Sequence, residues 1–402
     1  MAGSTKTDND DNTLQLLQSR EPQLRAQSNL AMPFIEQEQE TSAVTRSNDV
    51  VYLKKSLSKK AKKRLKCAGI FLIILLLIVF LLAFVGLPVF FMNSLALQRL
   101  IMFTNLGLPS EVSHFRKYEL KPGLRNFYVS VKDVLSKDVI SLGVWHLLPY
   151  TFQERVITDQ NFDYDDALLN SNMSVLLYFH GTGEDRSSSL SKYSIFRFFF
   201  HVITFDYRNY ADSSKNELSE DAVVNDCVQL YEWLTTKTKS RIIIWGHSLG
   251  SALATHTVSL LQTKPNVTQP VGLVLEAAFT KMSEELYVHP YGKIFAWLPW
   301  FKATILRPLE KNGFLFDTSK NILNVECPVM ILCAEDDSIV PYKFGQKIRE
   351  IAQNRSVLNT TFYYQFDYNL NYDHFFIYQD PFIPYFINYF QFVCTDGRSS
   401  DI

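Results

Sequence analysis

One serine stands where an apolar run meets a helix-like pattern, in the stretch RIIIWGHSLGSALATHTVSLL from Arg241 to Leu261. The Gly-x-Ser-x-Gly pattern around Ser248 predicts a nucleophile elbow, in which a strand enters a sharp turn and continues directly into a helix. Gly246 and Gly250 supply the small residues that such a turn requires. Backbone N–H groups at the helix N-terminus would point at an oxyanion formed there. The alternative is an ordinary glycine-rich turn.

A serine hydroxyl needs a base to become a nucleophile, and histidine has a suitable pKa near neutrality. With a nucleophile elbow the order along the chain is serine, acid, histidine. His374 is the only one of eight histidines that follows the candidate acids, and it lies in NLNYDHFFIY, between the last predicted strand and the final predicted helix. We predict His374 as the base, with a solvated loop histidine as the alternative.

The acid is expected in the turn after the strand PVMILC, where AEDDSIVPY offers Glu335, Asp336 and Asp337. We predict Asp337, because the last acid before SIVP is best placed to leave the strand end and face the histidine. Asp336 stays open as an alternative. Consecutive acids after a strand also occur as a plain solvated turn or a helix cap.

The loop YFHGTGEDR should give the second oxyanion donor. We predict the backbone N–H of Thr182 as one donor and that of Leu249, next to the serine, as the other. Arg186 in the same loop is a candidate partner for an anionic head group, although an arginine beside a loop is more often a surface ion pair.

An aromatic and apolar segment, YVHPYGKIFAWLPWFKATILRP, spans Tyr287 to Pro308 inside a predicted cap at about residues 281–310. Four of its side chains are predicted to line an acyl-chain pocket or to lie in a membrane interface: Phe295, Trp297, Trp300 and Phe301. Ordinary packing within the cap is the alternative.

The elements that must position these residues follow from the pattern after Tyr118. Short β-rich runs alternate with amphipathic helices, which predicts a mostly parallel sheet flanked by helices in one α/β domain over residues 118–395. The predicted strands are NFYVSVK, VISLGVWHLLP, SVLLYFHG, HVITFDYR, RIIIWGHS, VGLVLEAAF, PVMILCAEDD and TTFYYQF. The predicted helices are SEDAVVNDCVQLYEWLTTK, GSALATHTVSLLQ, YKFGQKIREIAQ and PFIPYFINYFQFV.

An uncharged block of 25 residues, Ala68 to Met92, is long enough to cross a hydrocarbon core of about 30 Å as a helix. Residues 54–66 before it are basic, which predicts a cytosolic N-terminus and a catalytic domain on the far side of the membrane. Residues 1–53 are predicted to be a disordered cytosolic tail, and residues 93–117 a membrane-proximal helical segment. The basic residues are Lys54, Lys55, Lys59, Lys60, Lys62, Lys63, Arg64 and Lys66.

Four acceptor sequons, at Asn172, Asn266, Asn354 and Asn359, all follow the predicted span, which agrees with glycosylation across the membrane. Five cysteines are too few for a disulfide framework in a chain of 402 residues. Cys227 and Cys333 lie in apolar surroundings and are predicted to be buried thiols. A net charge of −1, from 40 basic and 41 acidic residues, gives no global field that would favour nucleic acid.

Six motifs, GVWHLLP, LLYFHG, VITFDYR, IWGHSLG, LVLEAAFT and CAEDDSIVPY, resemble the membrane-anchored lysophosphatidylserine and monoacylglycerol lipases of the α/β-hydrolase domain-containing family. The resemblance runs from Leu95 to the end of the chain and includes the membrane span. It implies an α/β-hydrolase fold, a triad of Ser248, Asp337 and His374, and a catalytic domain in the lumen of the endoplasmic reticulum, with the plasma membrane as the alternative.

The chain departs from that family in two loops. The oxyanion loop has HGTGED where relatives have His-Gly-Asn-Ala-Gly, and Asn209 and Ala211 stand where glycines are common. These departures bear on the head group of the substrate more than on catalysis.

The sequence therefore predicts a membrane-bound serine hydrolase that cleaves acyl esters of lysophospholipids or monoacylglycerols taken from the bilayer, without a metal or organic cofactor. A thioesterase that removes palmitate from proteins is the enzymatic alternative, although the single N-terminal cysteine and the predicted orientation disfavour it. A non-catalytic interaction protein on a hydrolase fold is the other alternative.

Overall fold

The computed structural model describes residues 58–105, 108–356 and 360–396. The predicted cytosolic tail, Lys54, Lys55 and the sequon at Asn359 lie outside the described residues. The chain forms two units, Met1–Lys66 and Cys67–Ile402, and only the start of one helix is described from the first.

An eight-stranded sheet forms the centre of the second unit, with strand order β1-β2-β4-β3-β5-β6-β7-β8. The first two pairings, β1 with β2 and β2 with β4, are antiparallel, and the others are parallel. The α/β-hydrolase fold predicted from the motifs is thereby confirmed. The strands are β1 (Leu124–Lys132), β2 (Val139–Leu147), β3 (Val175–Phe179), β4 (His201–Phe205), β5 (Ile242–His247), β6 (Gly272–Glu276), β7 (Val329–Ala334) and β8 (Thr361–Phe366).

Helices cover both faces of the sheet, because the central strands β3 to β7 are buried along their whole length and expose no polar face. The helices are α1 (Lys59–Leu81), α2 (Leu87–Asn93), α3 (Leu95–Met102), α4 (Val112–Arg116), α5 (Gln153–Thr158), α6 (Tyr164–Leu169), α7 (Leu190–Phe196), α8 (Glu220–Lys237), α9 (Leu249–Leu261), α10 (Met282–Val288), α11 (Pro290–Ala296), α12 (Arg307–Lys311), α13 (Thr318–Asn321), α14 (Lys343–Ala352) and α15 (Ile383–Asp396).

Two hydrophobic cores result, one on each side of the sheet. Side chains of α8, α9 and α14 pack in the first core, for example Val223, Leu253 and Ile348. Side chains of α7 and α15 pack in the second, for example Phe196 and Ile387. These layers hold the carboxyl ends of β3, β5, β7 and β8 in fixed positions, and Thr182, Ser248, Asp337 and His374 follow those ends in that order.

The apolar block after the basic run is helical from Lys59 to Asn93, through α1, a π-helical turn at Leu82–Gly86 and α2. Its most apolar window has a mean hydropathy of 3.5 and is not buried, so this helix is long and apolar enough to cross a membrane.

The predicted cap lies between β6 and β7, and it begins with α10 and α11. Trp300 in the cap donates its indole N–H to the carbonyl oxygen of Phe84 in the π-helical turn, at 2.8 Å. The cap is therefore in direct contact with the apolar helix of residues Lys59–Asn93, which is called the anchor below.

Candidate active site

Ser248 lies between β5 and α9 with φ +54° and ψ −120°, a left-handed backbone that only a tightly constrained non-glycine residue adopts. Its N–H donates to the carbonyl oxygen of Glu276 at the end of β6, at 2.9 Å. A Cβ atom at Gly250 would collide with the carbonyl oxygens of Phe179 and His180, and one at Gly246 with the backbone of Gly250. The close approach predicted for a nucleophile elbow is present.

His374 lies in the loop after β8, and its Nδ1 is 2.8 Å from Oδ2 of Asp337. Both side chains are almost completely buried. The other oxygen of Asp337, Oδ1, accepts from the backbone N–H groups of Ile339 and Val340, at 2.9 and 2.7 Å. The Asp337 carboxylate is thus held at both oxygens and orients the imidazole through Nδ1. Nε2 is then the ring nitrogen that can act as the base.

Asp336, the alternative acid, does not reach the imidazole ring. Its Oδ2 accepts from the backbone N–H of Asp373, at 2.8 Å. Asp373 has φ +45° and its own carboxylate binds the N–H and hydroxyl of Ser338. The geometry favours Asp337 as the partner of His374 and gives Asp336 the task of holding the loop that carries the histidine.

One cavity of about 500 Å³ brings together Ser248, His374, Thr182 and Leu249. Leu249 is the first residue of α9, and the first N–H groups of a helix have no partner within that helix. The predicted nucleophile, base and both oxyanion donors therefore share one space, with the acid directly behind the base.

Glu184 and His247 form a second acid–base pair on one wall of this cavity. Oε2 of Glu184 is 3.3 Å from Nδ1 of His247 and accepts from the N–H of Gly181 at 2.6 Å. Nε2 of His247 lies 2.9 Å from the carbonyl oxygen of His374, to which it donates. This pair connects the oxyanion loop to the backbone of the predicted base.

Electrostatics favour the charged form of both members of the pair. Burial raises the pKa of Glu184, but the opposing effects of His247, Lys192 and the Gly181 N–H are larger together and hold it well below its usual range. Burial and Lys192 lower the pKa of His247, whereas Glu184 raises it, and the net pKa is raised. Each member of the pair therefore stabilises the charge of the other.

A further wall of the same cavity comes from the cap, where Glu285 lies on α10 and His289 in the turn that follows it. Glu285 is 5% exposed, and its Oε1 has no hydrogen-bond partner among the described residues. Burial raises the pKa of Glu285 to about 8, with a further contribution from Asp337. Burial and then His374 lower the pKa of His289.

A second, smaller cavity of about 150 Å³ includes Phe295 and Phe301 from the cap. Its lining also includes Leu87, Pro88 and Phe91 of α2. Four residues line both cavities: Ile101, Met102, Leu286 and Tyr291. An apolar wall therefore continues from the site toward the end of the anchor helix.

The two tryptophans predicted with those phenylalanines occupy different positions. Trp297 is 61% exposed, and its ring centre lies 5.6 Å from that of Phe84 in the anchor. Trp300 is bound to the carbonyl of the same residue. Both side chains contact Phe84 of the apolar helix, and neither is among the described residues that line the two cavities. A place for them in the membrane interface stays a prediction.

Arg186 is not available to a substrate. Its side chain is fully buried, its guanidinium binds Asp206, Asp212 and Asn126, and it stacks on the ring of Phe115 at 3.6 Å. The ion-pair alternative is correct, although the pair is buried rather than exposed. The geometry therefore does not support the predicted contact with a head group.

The sequence did carry a signal for the cap residues that pattern reasoning missed. Met282, Glu285, Leu286 and His289 follow the 3-4-7 spacing of one helical face, so an acid and a histidine lie on an apolar stripe. For Glu184 the only signal was its place in the oxyanion loop.

Fold and site together define a serine ester hydrolase of the α/β-hydrolase class. The model of the alpha/beta hydrolase family matches residues 175–362. Mouse lysophosphatidylserine lipase ABHD12 is 31% identical over 339 residues, which are 82% of this chain and 80% of the relative. Human protein ABHD12B is 34% identical over 267 residues, 64% of this chain and 70% of the relative. The chain belongs to the ABHD12 family.

Among solved structures, the esterase Pf2001 of Pyrococcus furiosus is similar with a TM-score of 0.48 and 16% identity, over 71% of this chain and 98% of that chain. That similarity is too distant to bear on substrate or mechanism.

Proposed function

We propose that this protein is a membrane-anchored lipase that hydrolyses the acyl ester of lysophospholipids and monoacylglycerols, with Ser248 as nucleophile, His374 as base and Asp337 as the orienting acid. The observation that carries the proposal is the elbow serine sharing a cavity with a histidine whose other nitrogen is bound to a buried carboxylate. The names of the relatives support the lysophospholipid class.

The reaction follows from this placement in two steps. Nε2 of His374 takes the proton of Ser248 as Oγ attacks the ester carbonyl, while the N–H groups of Thr182 and Leu249 bind the oxyanion. The alcohol leaves with the proton from His374 and an acyl-enzyme remains. Water then attacks the acyl carbonyl, His374 takes its proton and returns it to Ser248, and the fatty acid is released.

The acyl chain would lie along the apolar wall shared by the two cavities, past Ile101 and Met102 toward Phe295 and Phe301. Hydrocarbon fits a wall of this kind because each buried methylene contributes about 0.8 kcal/mol. Trp297 and Trp300 would lie at the membrane interface instead, where amphipathic rings are favoured.

The proposed topology has residues 1–53 as a cytosolic tail, residues 54–66 at the cytosolic membrane surface and the catalytic domain of residues 118–395 in the lumen of the endoplasmic reticulum. The first turns of α1 are basic and precede its apolar part; the basic residues there are Lys59, Lys60, Lys62, Lys63, Arg64 and Lys66. The positive-inside rule places such a basic end in the cytosol. Three of the sequons, Asn172, Asn266 and Asn354, are exposed.

Labelling of membranes with a fluorophosphonate probe tests the reaction. Wild type and Ser259→Ala should label, whereas Ser248→Ala should not, and turnover of 1-acyl lysophosphatidylserine should fall by a factor on the order of 10⁴ in Ser248→Ala and His374→Ala. Ser259 is a matched control in α9, the helix that directly follows Ser248, and its hydroxyl donates to the carbonyl oxygen of His256. An unlabelled wild type would contradict the proposal.

Two further outcomes separate the alternatives. Release of fatty acid from acylated protein thioesters without lysolipid turnover would assign a thioesterase. For topology, glycosidase treatment should reduce the apparent mass of the wild type, and replacing Asn172, Asn266 and Asn354 by Gln should reduce that shift. A cytosolic catalytic domain would show no shift in either protein.

A further inference from the structure

Glu285 combines deep burial with unused hydrogen-bonding capacity at the active-site cavity. It is 5% exposed, it lines the space that holds Ser248 and His374, and its Oε1 has no partner within the described residues. Neighbouring Glu284 points elsewhere and binds Thr280 and Lys347 at the surface. A buried polar group without a partner destabilises the folded protein, so its presence at the site points to a ligand that completes its bonds.

The charges around the cavity limit what that ligand can be. None of the described residues that line this cavity is a lysine or an arginine. The other acid among them, Glu184, is already bound to His247 and Gly181. The charged form of His247 is favoured, but this side chain is already paired with Glu184. Within the described lining a phosphate group therefore finds no unpaired cation, and the part of the substrate beside Glu285 should carry no negative charge.

The protonation state of Glu285 narrows the choice further. Because burial and Asp337 raise the pKa of this carboxyl to about 8, it is neutral at pH 7 and can both donate and accept a hydrogen bond. One turn later His289 accepts the N–H of Tyr291 at Nδ1, at 3.2 Å, which leaves the N–H of its neutral ring at Nε2. A hydroxyl group, itself donor and acceptor, fits a neutral acid beside a neutral imidazole.

Lysophospholipids and monoacylglycerols share one such group, the free glycerol hydroxyl next to the acyl ester, whereas lipids with both positions acylated lack it. We propose that Glu285 binds this hydroxyl and thereby makes the cavity select glycerol esters that carry a single acyl chain. The inference rests on the proposed function and adds the residue that recognises the alcohol part of the substrate.

A pair of substrates that differ by one hydroxyl tests the contact. We would compare kcat/KM for 1-oleoylglycerol and for the mono-oleate of propane-1,3-diol, with wild type, Glu285→Leu and Glu285→Gln in detergent-solubilised full-length protein. Wild type should prefer the glycerol ester at least about tenfold, because a site built around a hydroxyl is left with unpaired polar groups when it is missing. Glu285→Leu should reduce the preference to about twofold or less, and Glu285→Gln should keep it.

Glu285→Leu should lower kcat/KM for 1-oleoylglycerol more than kcat/KM for the ester without the hydroxyl, since only the glycerol ester makes the contact. Glu284→Leu is the matched control, and it should keep the wild-type preference. Fluorophosphonate labelling of Ser248 in each variant reports whether the site is folded.

Several outcomes would overturn the inference. A preference that survives in Glu285→Leu, or an equal loss on both esters, assigns Glu285 no contact with the hydroxyl. Loss of lysophosphatidylethanolamine hydrolysis in Glu285→Gln, with monoacylglycerol unaffected, assigns it to an ammonium group instead. Wild-type hydrolysis of both esters at one rate overturns this inference alone, whereas hydrolysis of neither, with no turnover of lysophosphatidylserine, overturns the proposed function as well.

Discussion

The active-site cavity has two acidic walls that are built in opposite ways. On the oxyanion-loop wall, Glu184 is bound to the N–H of Gly181 and to His247, and its pKa is held well below its usual range. On the cap wall, Glu285 has an oxygen without a partner among the described residues, and its pKa is raised to about 8. Glu184 is charged and bonded through Oε2, whereas Glu285 is neutral at pH 7 and has an oxygen without a partner among the described residues.

This difference shows how one cavity separates catalysis from recognition. The loop wall contacts the backbone of His374 through His247, so its bonds must exist before any substrate arrives. Within the described part of the chain, Glu285 and His289 on the cap wall make no hydrogen bond to the predicted triad, so Glu285 can complete its bonds with the substrate. The bonds of Glu184 and His247 are formed in advance and support stabilisation of the transition state. The unpaired oxygen of Glu285 can instead distinguish one substrate from another.

The largest expected effect is on the loop wall. Glu184→Leu should lower the free energy of unfolding by about 3 kcal/mol, because it leaves His247 buried without its counter-charge and Gly181 without an acceptor. Thermal unfolding in detergent measures this, and Glu184→Gln, which keeps an acceptor oxygen, should lose clearly less. A Glu184→Leu variant as stable as wild type would show that the Glu184–His247 pair does not contribute to the stability of the fold.

The pH dependence of stability should have opposite signs on the two walls. Between the ordinary pKa of 4.5 and about 8, the folded protein keeps a proton on Glu285 that the unfolded chain has lost, so stability falls as pH rises, by up to about 1.4 kcal/mol per pH unit. Glu184, with a lowered pKa, stabilises above its ordinary pKa and loses that contribution as pH falls. Unfolding from pH 5 to 8 should therefore be flatter for Glu285→Gln than for wild type. An unchanged profile would show that Glu285 does not keep its proton.

A smaller effect of opposite direction is expected for Glu285→Leu. This substitution removes a buried polar group that lacks a partner, so the free energy of unfolding should rise by about 1 kcal/mol even though selectivity is lost. The same change of glutamate to leucine would then destabilise one wall and stabilise the other. A loss of stability in Glu285→Leu would mean that the carboxyl is already satisfied in the free protein.

The smallest effect is expected just outside the cavity, at Glu284. Its carboxylate binds Lys347 at 2.8 Å with one third of the side chain exposed. Exposed ion pairs of this kind contribute about 0–1 kcal/mol, so Glu284→Gln should change the unfolding free energy by about 0.5 kcal/mol or less. A larger loss would indicate that α10 depends on this ion pair for its position. The position of Glu285 on the same helix would then depend on the ion pair as well, and the comparison between the two walls would not be independent of it.

Much of the framework was predictable because it depends on local rules. All eight strands overlap the predicted runs. The ends of α8, α9, α14 and α15 lie within three residues of the predicted segments. The spacing of Gly246, Ser248 and Gly250 predicted the elbow. The order of acid and histidine along the chain selected His374, and the position just before SIVP favoured Asp337 over Asp336. The side chains of Asp337 and His374 are in contact. Cys227 and Cys333 are buried, as their apolar surroundings predicted.

The sequence could not supply contacts that depend on which loops meet. Arg186 shares a loop with the oxyanion donors, yet the fold brings Asp206 and Asp212 to its guanidinium and Phe115 to its face. Glu184 and His247 are 63 residues apart and meet only because β3 and β5 are neighbours. Asn209 and Ala211 adopt positive φ of 67° and 47°, a backbone conformation that favours glycine, and the sequence pattern alone did not predict it.

The contact between cap and anchor has a practical consequence for preparing a soluble enzyme. Deleting the chain through Asn93 would remove the hydrophobic tether, but Leu87, Pro88 and Phe91 would go with it, and these residues form part of the smaller cavity. Trp300 would lose the carbonyl that it binds at Phe84. The shortened protein would expose the apolar lining of this cavity to water. Aggregation of such a truncated protein would then be explained by the missing part of the cavity wall and would not require a misfolded catalytic domain.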